Sequence, residues 1–437
     1  MKNTVTEGNI VKAMLTFCIP IMIGTLFQQL YNAVDVIVVG KFVSSTALAC
    51  VGGSSGMIIN LFTGFFVGVT SGITVIIAKY YGSKDSLSLQ KAIETSILLS
   101  LIGGILFSLS GIFFTGNMLK LLGTSKELMT GSSLYLRIYF AGMTFTFLFN
   151  TGSAILRAIG DSKTPLYYLI VCCFTNIVLD ILSVVIFHMG IAGVAIATGV
   201  SQCISSILVL HKLSKIYNLQ INRMTFHSSI AIDTLTIGLP AGIQSIMNSF
   251  SGMIMTYAIN QIGTYAVAGN TAYAKLDGIY WMVSNAFSIA IATFVSQNLG
   301  AGKKERVSKS IRTCLMLDVI LSLCISAFFL FTSRYLLYLF TNDQKVIDQA
   351  LLVMKAIAPY YALVPLYEVL SSALRGKEDV KIPMIINIIG LCGIRAIYIL
   401  ILHNPSSIYQ IVISCPISWL FTAITTIIYY LYRKKCS

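Results

Sequence analysis

The sequence predicts an all-α integral membrane protein. It expects twelve transmembrane helices in two pseudo-symmetric six-helix bundles, related as parallel repeats, around a central cleft. Three observations predict it. The 437 residues are 56% hydrophobic and only 11% charged, with a mean hydropathy of +0.83. Soluble domains are about a quarter charged, so no water-facing surface can be built from this composition. The apolar residues fall into twelve runs, and the second half of the chain repeats motifs of the first.

The runs cover residues 13–39, 47–78, 92–115, 132–156, 166–187, 191–211, 230–260, 266–297, 311–332, 350–374, 383–402 and 408–431. A bilayer requires about 20 apolar residues per helical span. Helices are required because lipid offers no partner to an open strand edge. The runs also lack the period-two alternation of a membrane barrel. The polar start "MKNTVTEGNIVK" reads as a cytoplasmic segment leading into a retained first helix, not as a cleaved signal.

Most of the 30 lysines and arginines lie at the N-terminus, in alternate loops and at the C-terminus. Examples are Lys79, Lys84, Lys91, Arg157, Lys163, Lys303, Arg306, Arg375 and Arg433. This asymmetry places both termini on the cytoplasmic side of the cell membrane. Topology therefore accounts for the net charge of +14, and nucleic acid is not an expected partner. The ten cysteines are scattered through apolar runs without a C-x-x-C or a Cys/His cluster, so no metal site is expected.

The stretches "AILRAIGDSKTP" and "SALRGKEDVKIP" repeat each other. Arg157, Asp161, Lys163 and Pro165 recur as Arg375, Asp379, Lys381 and Pro383, at one constant offset of half the chain. Pro20 likewise matches Pro240, and Gly82 matches Gly300. Six spans per half is an even number, so both halves enter the membrane from the same side and the repeats are parallel. The expected organisation is an N-terminal lobe over 1–211, a cytoplasmic linker over 212–229 and a C-terminal lobe over 230–437. Two such bundles rocking about a cleft give alternating access, with small molecules as substrates and lipid as surroundings. No phosphate-binding G-x-x-x-x-G-K-[ST] occurs, so the drive is an ion gradient or the substrate's own gradient. No nucleophile and base set marks an enzyme.

Charges inside spans cost at least ~2.5–3.5 kcal/mol each and so point to function. Asp35 and Asp180 stand out in the N-terminal half. Gln28, Asn32 and Asp35 are spaced to share one helix face, as are Asn176 and Asp180. No basic residue lies deep in this half. A buried acid without a counter-ion takes up a proton readily, and carboxylate and amide oxygens also suit sodium. The positions matching Asp35 and Asp180 in the second half are Met255 and Tyr398, so an ion site is expected in the first bundle only. The second bundle offers Gln244, Asn248, Asp277 and Glu368 as substrate or ion contacts, with Lys275 and Arg395 as candidates to neutralise the acids. Asp318 is expected near the inner interface. Gly64, Gly68 and Gly72 form a small-residue stripe for close helix packing. Pro20 permits a kink in the first span.

Taken together, "P-x7-Q-Q-x-Y-N-x2-D-x4-G" from Pro20 to Gly40, "ALACVG", and "LRAIGDSKTP" with its echo "LRGKEDVKIP" resemble the multidrug and toxic compound extrusion transporters, in a prokaryotic form. The resemblance covers nearly the whole chain. It implies an antiporter that exports amphipathic, often cationic drugs or metabolites in exchange for protons or sodium. No other cofactor is expected, and the expected working unit is a monomer. The resemblance also implies that Asp35, Asn176 and Asp180 form the cation site, with Asn150 and Thr198 at accompanying polar positions and Pro20 as the bending proline. Other branches carry an acid in the seventh span, where this chain has Gln244 and Asn248. Glu368 lies where some members have a tenth-span acid. The competing reading within the same superfamily is a lipid-linked precursor flippase.

Overall fold

A computed structural model describes residues 5–220, 224–402 and 405–435. Twelve helical spans account for nearly all of them, and no strand occurs among the described residues. The first six comprise α1 (Ile10–Phe42), α2 (Ser45–Gly52) with α3 (Ser54–Ser83), α4 (Ser86–Leu121), α5 (Lys126–Ala158), α6 (Lys163–Asp180) with a π-helical continuation Ile181–Ile186, and α7 (Gly190–Tyr217). The second six comprise α8 (Ser228–Asn260), α9 (Thr264–Gly300), α10 (Lys304–Tyr338) and α11 (Gln344–Ile357), the last leading through a 3-10 turn Ala358–Leu363 into α12 (Val364–Gly376). They end with α13 (Lys381–Asn387), a π-helical segment Ile388–Ile394 and α14 (Arg395–Ile401), then α15 (Ile408–Val412) with α16 (Ser414–Lys435).

Eleven of the twelve spans are long and apolar enough to cross a bilayer on their own. The exception is α5. It packs against α2, α3, α4, α6 and α7, so much of its surface meets protein rather than lipid and need not be hydrophobic. The chain is a multi-pass membrane protein.

Two compact units divide the chain, one formed by Thr16–Leu239 and the other by Pro240 onward together with the residues up to Leu15. The first unit is called unit N here and the second unit C. Both divisions fall inside a long helix near its proline. In α1 the helix runs unbroken through Pro20, and in α8 through Pro240. Proline lacks an amide, so the carbonyls of Thr16 and Thr236 lose their intrahelical partners.

Within unit N the glycine stripe explains one close contact. A Cβ on Gly72 would collide with the Thr234 carbonyl and sit 2.7 Å from the Gly238 nitrogen, so α3 and α8 touch backbone to backbone. A Cβ on Gly142 would meet Gly199 Cα at 2.9 Å, which brings α5 equally close to α7. The segment after α7 is tied to α4. Glu94 accepts from the Thr225 amide and hydroxyl, each at 3.0 Å, and Thr95 Oγ1 accepts from the His227 amide at 3.2 Å. At the start of α4, the Ser88 amide donates to Asp85 Oδ1 at 3.0 Å and holds that exposed carboxyl below the usual carboxylate range. That cap is therefore present at neutral pH and lost as pH falls through the lowered range.

Asp161 explains part of the repeated motif. It accepts from the Lys163 and Thr164 amides and from the Thr164 hydroxyl, which caps α6 just before Pro165. Its repeat partner Asp379 has a different role, accepting from Tyr429 Oη and from Arg433 Nε at 2.6 Å.

In unit C the residues before α1 form a strap. Arg306 donates to the carbonyls of Val5, Glu7 and Gly8 at 2.9–3.1 Å, and Lys303 Nζ to that of Thr6 at 2.9 Å. Val5 and Thr6 are buried beneath them. Arg306→Ala removes three charge-assisted hydrogen bonds at a half-exposed site, a loss of about 1 kcal/mol. We expect cleavage after Glu7 by a glutamyl endopeptidase to become several-fold faster in that variant. An unchanged rate would mean that the Lys303 bond and the burial of Val5 and Thr6 hold the strap without Arg306.

Candidate functional site

Three polar residues sit in the interior of unit N. Asp35 comes from α1, and Asn176 and Asp180 from successive turns of α6. Asp35 is 7% exposed, and Asn176 and Asp180 are 0% exposed. The side chains adjoin one another, with Asp35 facing both Asp180 and Asn176. They complete no hydrogen bond in good geometry. Asp35 Oδ1, both polar atoms of the Asn176 amide and both Asp180 oxygens have no partner.

Each buried, unpaired polar atom costs about 1–3 kcal/mol, more when ionised. Native proteins pair most such atoms, so five in one cluster require an explanation. A bound cation provides one. A proton makes one carboxyl a donor to the other, whereas sodium would be met by carboxylate and amide oxygens.

The local backbone helps to present this group. The π-helical segment begins at the residue after Asp180, and the Phe187 amide donates five residues back to the Leu182 carbonyl at 2.9 Å. Such wide turns occur mostly as single insertions in α-helices and often at functional sites. Unit C also has a π-helical segment, following Asn387, but it lies at another height along its helix.

The site has neighbours that sequence reasoning missed. Tyr31 on α1, Tyr135 and Tyr139 on α5, and Cys172 on α6 all lie near Asp35, and Tyr135 also lies near Asp180. The signal was present in the spacing. Tyr31 is one turn before Asp35, Tyr135 and Tyr139 are one turn apart, and Cys172, Asn176 and Asp180 fall on one face of α6.

The other expected members make local contacts of their own. Asn150 Nδ2 donates to the Thr146 carbonyl at 2.9 Å, and Thr198 Oγ1 to the Val194 carbonyl at 3.0 Å, so their donors are used within their own helices. Gln28 is half-buried, and Asn32 is exposed although Asp35 is not. The spacing of Gln28, Asn32 and Asp35 is helical, yet that face is only partly covered.

In unit C, Met255 at the position matching Asp35 packs into an apolar core beside Cys415. Gln244 is buried and Asn248 exposed. Asp277 is fully hydrogen-bonded. It accepts from Tyr361 Oη at 2.6 Å, Trp281 Nε1 at 2.9 Å and Tyr273 Oη at 3.2 Å, with Arg395 in electrostatic range. Lys275 is exposed. Glu368 accepts from Ser288 Oγ at 3.0 Å. Asp318 differs from the expectation of an interfacial acid. It is 0% exposed with neither oxygen partnered, because α9 and α12 cover α10 at that height.

The MatE family model matches residues 20–182 and again 240–401. The chain belongs to the MatE family. The double match coincides with the two halves of the internal repeat. Among its relatives, a Bacillus subtilis (strain 168) protein named "Probable multidrug resistance protein YpnP" is 28% identical over 98% of this chain and 96% of its own. "Multidrug export protein MepA" of Staphylococcus aureus (strain NCTC 8325 / PS 47) is 24% identical over 80% of this chain and 78% of its own. The same fold is seen in a solved structure described as the outward-facing conformation of a multidrug resistance MATE family transporter of the MOP superfamily. It matches with a TM-score of 0.91 and 21% identity, over 100% of this chain and 98% of the other. The MatE chain described here thus has the twelve-helix fold of that transporter.

Proposed function

We propose that this MatE chain is a secondary active antiporter that exports amphipathic, often cationic small molecules in exchange for protons by alternating access. Both termini are cytoplasmic, and a single chain suffices for transport. The protein makes and breaks no covalent bond. The observation that carries the reading is the Asp35, Asn176 and Asp180 group, buried and without partners in unit N of a chain whose relatives are named for multidrug export. Loading this group from one side of the membrane and emptying it on the other couples a gradient to substrate movement. The substrate class rests on those names, and the gradient drive on the absence from the sequence of a G-x-x-x-x-G-K-[ST] phosphate-binding motif.

Sodium is the second reading, favoured by the number of free oxygens in the same cluster. Everted vesicles with proton and sodium gradients imposed separately distinguish the two. Ethidium should leave the cytoplasmic face when only the proton gradient is present and stop when it is collapsed. Transport that requires sodium alone would move the assignment to sodium, and transport indifferent to both gradients would defeat the coupling.

A further inference from the structure

We propose that the end of unit C where α13 starts and α16 stops binds the phosphate headgroup of an anionic phospholipid. The chain carries Lys377, Glu378, Asp379 and Lys381 at the start of α13, and Arg433, Lys434 and Lys435 at the end of α16. Two contacts set these helices antiparallel and bring the two stretches together. Asp379 accepts from Tyr429 Oη at 2.8 Å and from Arg433 Nε at 2.6 Å. Further along, a Cβ on Gly390 would collide with the Thr422 side chain. The five basic side chains exceed the two acidic ones by three charges. Lys377 Nζ lies 5.4 Å from the centre of the Tyr430 ring, in a cation–π contact. Burial, with Arg433 and Lys434 close by, holds this ammonium below its ordinary range. Asp379 is already divided between Tyr429 and Arg433, and among the described residues Lys377, Lys381, Lys434 and Lys435 are in no ion pair. An anion from outside the chain relieves this crowding of like charges.

The surface leading away from this basic edge identifies the anion. Leu420, Ile424 and Leu431 form an exposed apolar stripe on α16, and Ile382, Ile385 and Ile389 form another on α13. Both helices belong to spans long and apolar enough to cross a bilayer, so these stripes face acyl chains. Lysines at the end of such a stripe reach headgroup level on their long stems, and tyrosines favour the same depth. Clustered lysines and arginines next to a span attract anionic lipid. A free phosphate would use the basic edge alone, whereas a phospholipid uses the edge and the stripes together. In unit N the matching acid, Asp161, caps its own helix instead of crossing to a neighbouring one.

The site is independent of the ion that drives transport. To test it, the purified full chain in dodecyl maltoside is mixed with phosphatidylglycerol, with phosphatidylcholine or with inorganic phosphate, and its unfolding temperature is read. A ligand that binds the folded protein raises that temperature. Phosphatidylglycerol should raise it by several degrees, and the other two should leave it unchanged. Lys377→Gln combined with Lys434→Gln should lose most of the rise. Lys84→Gln combined with Lys304→Gln removes the same charge at other exposed positions and should keep it. An equal rise with inorganic phosphate would mean a free-anion site and overturn the proposal, as would an equal rise with phosphatidylcholine. So would a full rise in the Lys377→Gln and Lys434→Gln protein, or the same loss in both double variants. Should the first double variant fail to fold, native mass spectrometry of the wild-type chain decides. It should retain phosphatidylglycerol in preference to phosphatidylcholine, and equal retention would overturn the proposal.

Discussion

Asp35→Asn should reduce gradient-driven efflux to the level of vesicles without the protein, while the variant remains folded and inserted. The amide has the shape of the carboxyl but cannot bind and release a proton in the same range, nor supply a negative charge to sodium. Its NH2 can donate to Asp180, which adjoins it and has two unpartnered oxygens. Replacing a buried unsatisfied acid by a donor removes a cost, so thermal stability should be unchanged or higher by about 1 kcal/mol. Size-exclusion profile and thermal unfolding give the first half of the result and dye efflux the second. Full efflux from a properly folded Asp35→Asn protein would remove this site from the coupling mechanism.

The second large effect concerns packing. Gly72→Ala places a methyl against the Thr234 carbonyl and the Gly238 nitrogen and Cα, the last at 3.0 Å. These are backbone atoms on α8, and no rotamer change relieves the clash. Overpacking of this kind costs about 1–3 kcal/mol, and here a whole helix has to move. We expect a drop of several degrees in the unfolding temperature and a loss of correctly assembled protein. Gly103→Ala is the control, because a Cβ there meets nothing within 4 Å. Equal stability of the two variants would mean that α3 and α8 are not held at this distance.

Much of this was legible in the sequence because the membrane imposes simple rules. Apolar runs of sufficient length gave all twelve spans, including α5, which is the least obvious by hydropathy because it is surrounded by other helices. Intramembrane acids are rare, so Asp35, Asn176 and Asp180 could be picked out by type and spacing, and the structure brings those three together. Side-chain depth was less legible. Asp318 follows Arg312 by less than two turns and was expected at the interface, but its burial is decided by α9 and α12, which lie far away in sequence. Asn32 shows the reverse, since its face is partly uncovered despite its helical register with Asp35. The π-helical segments after Asp180 and Asn387 have no signature in residue type. Nor could the repeat foretell that Asp161 caps its own helix while Asp379 reaches across to Arg433, because the second contact depends on a helix more than fifty residues away.

The central claim is that drug and cation move in opposite directions through the same chain, with Asp35 and Asp180 carrying the cation. The most direct measurement is cation flux recorded together with drug flux. Proteoliposomes holding the purified protein and an internal pH indicator are given an outward ethidium gradient, with a sodium indicator in a parallel sample. The wild-type protein should acidify the lumen as ethidium leaves, and Asp35→Asn and Asp180→Asn should each abolish that acidification. Ethidium leaving through the wild-type protein with no inward movement of either proton or sodium would contradict the account.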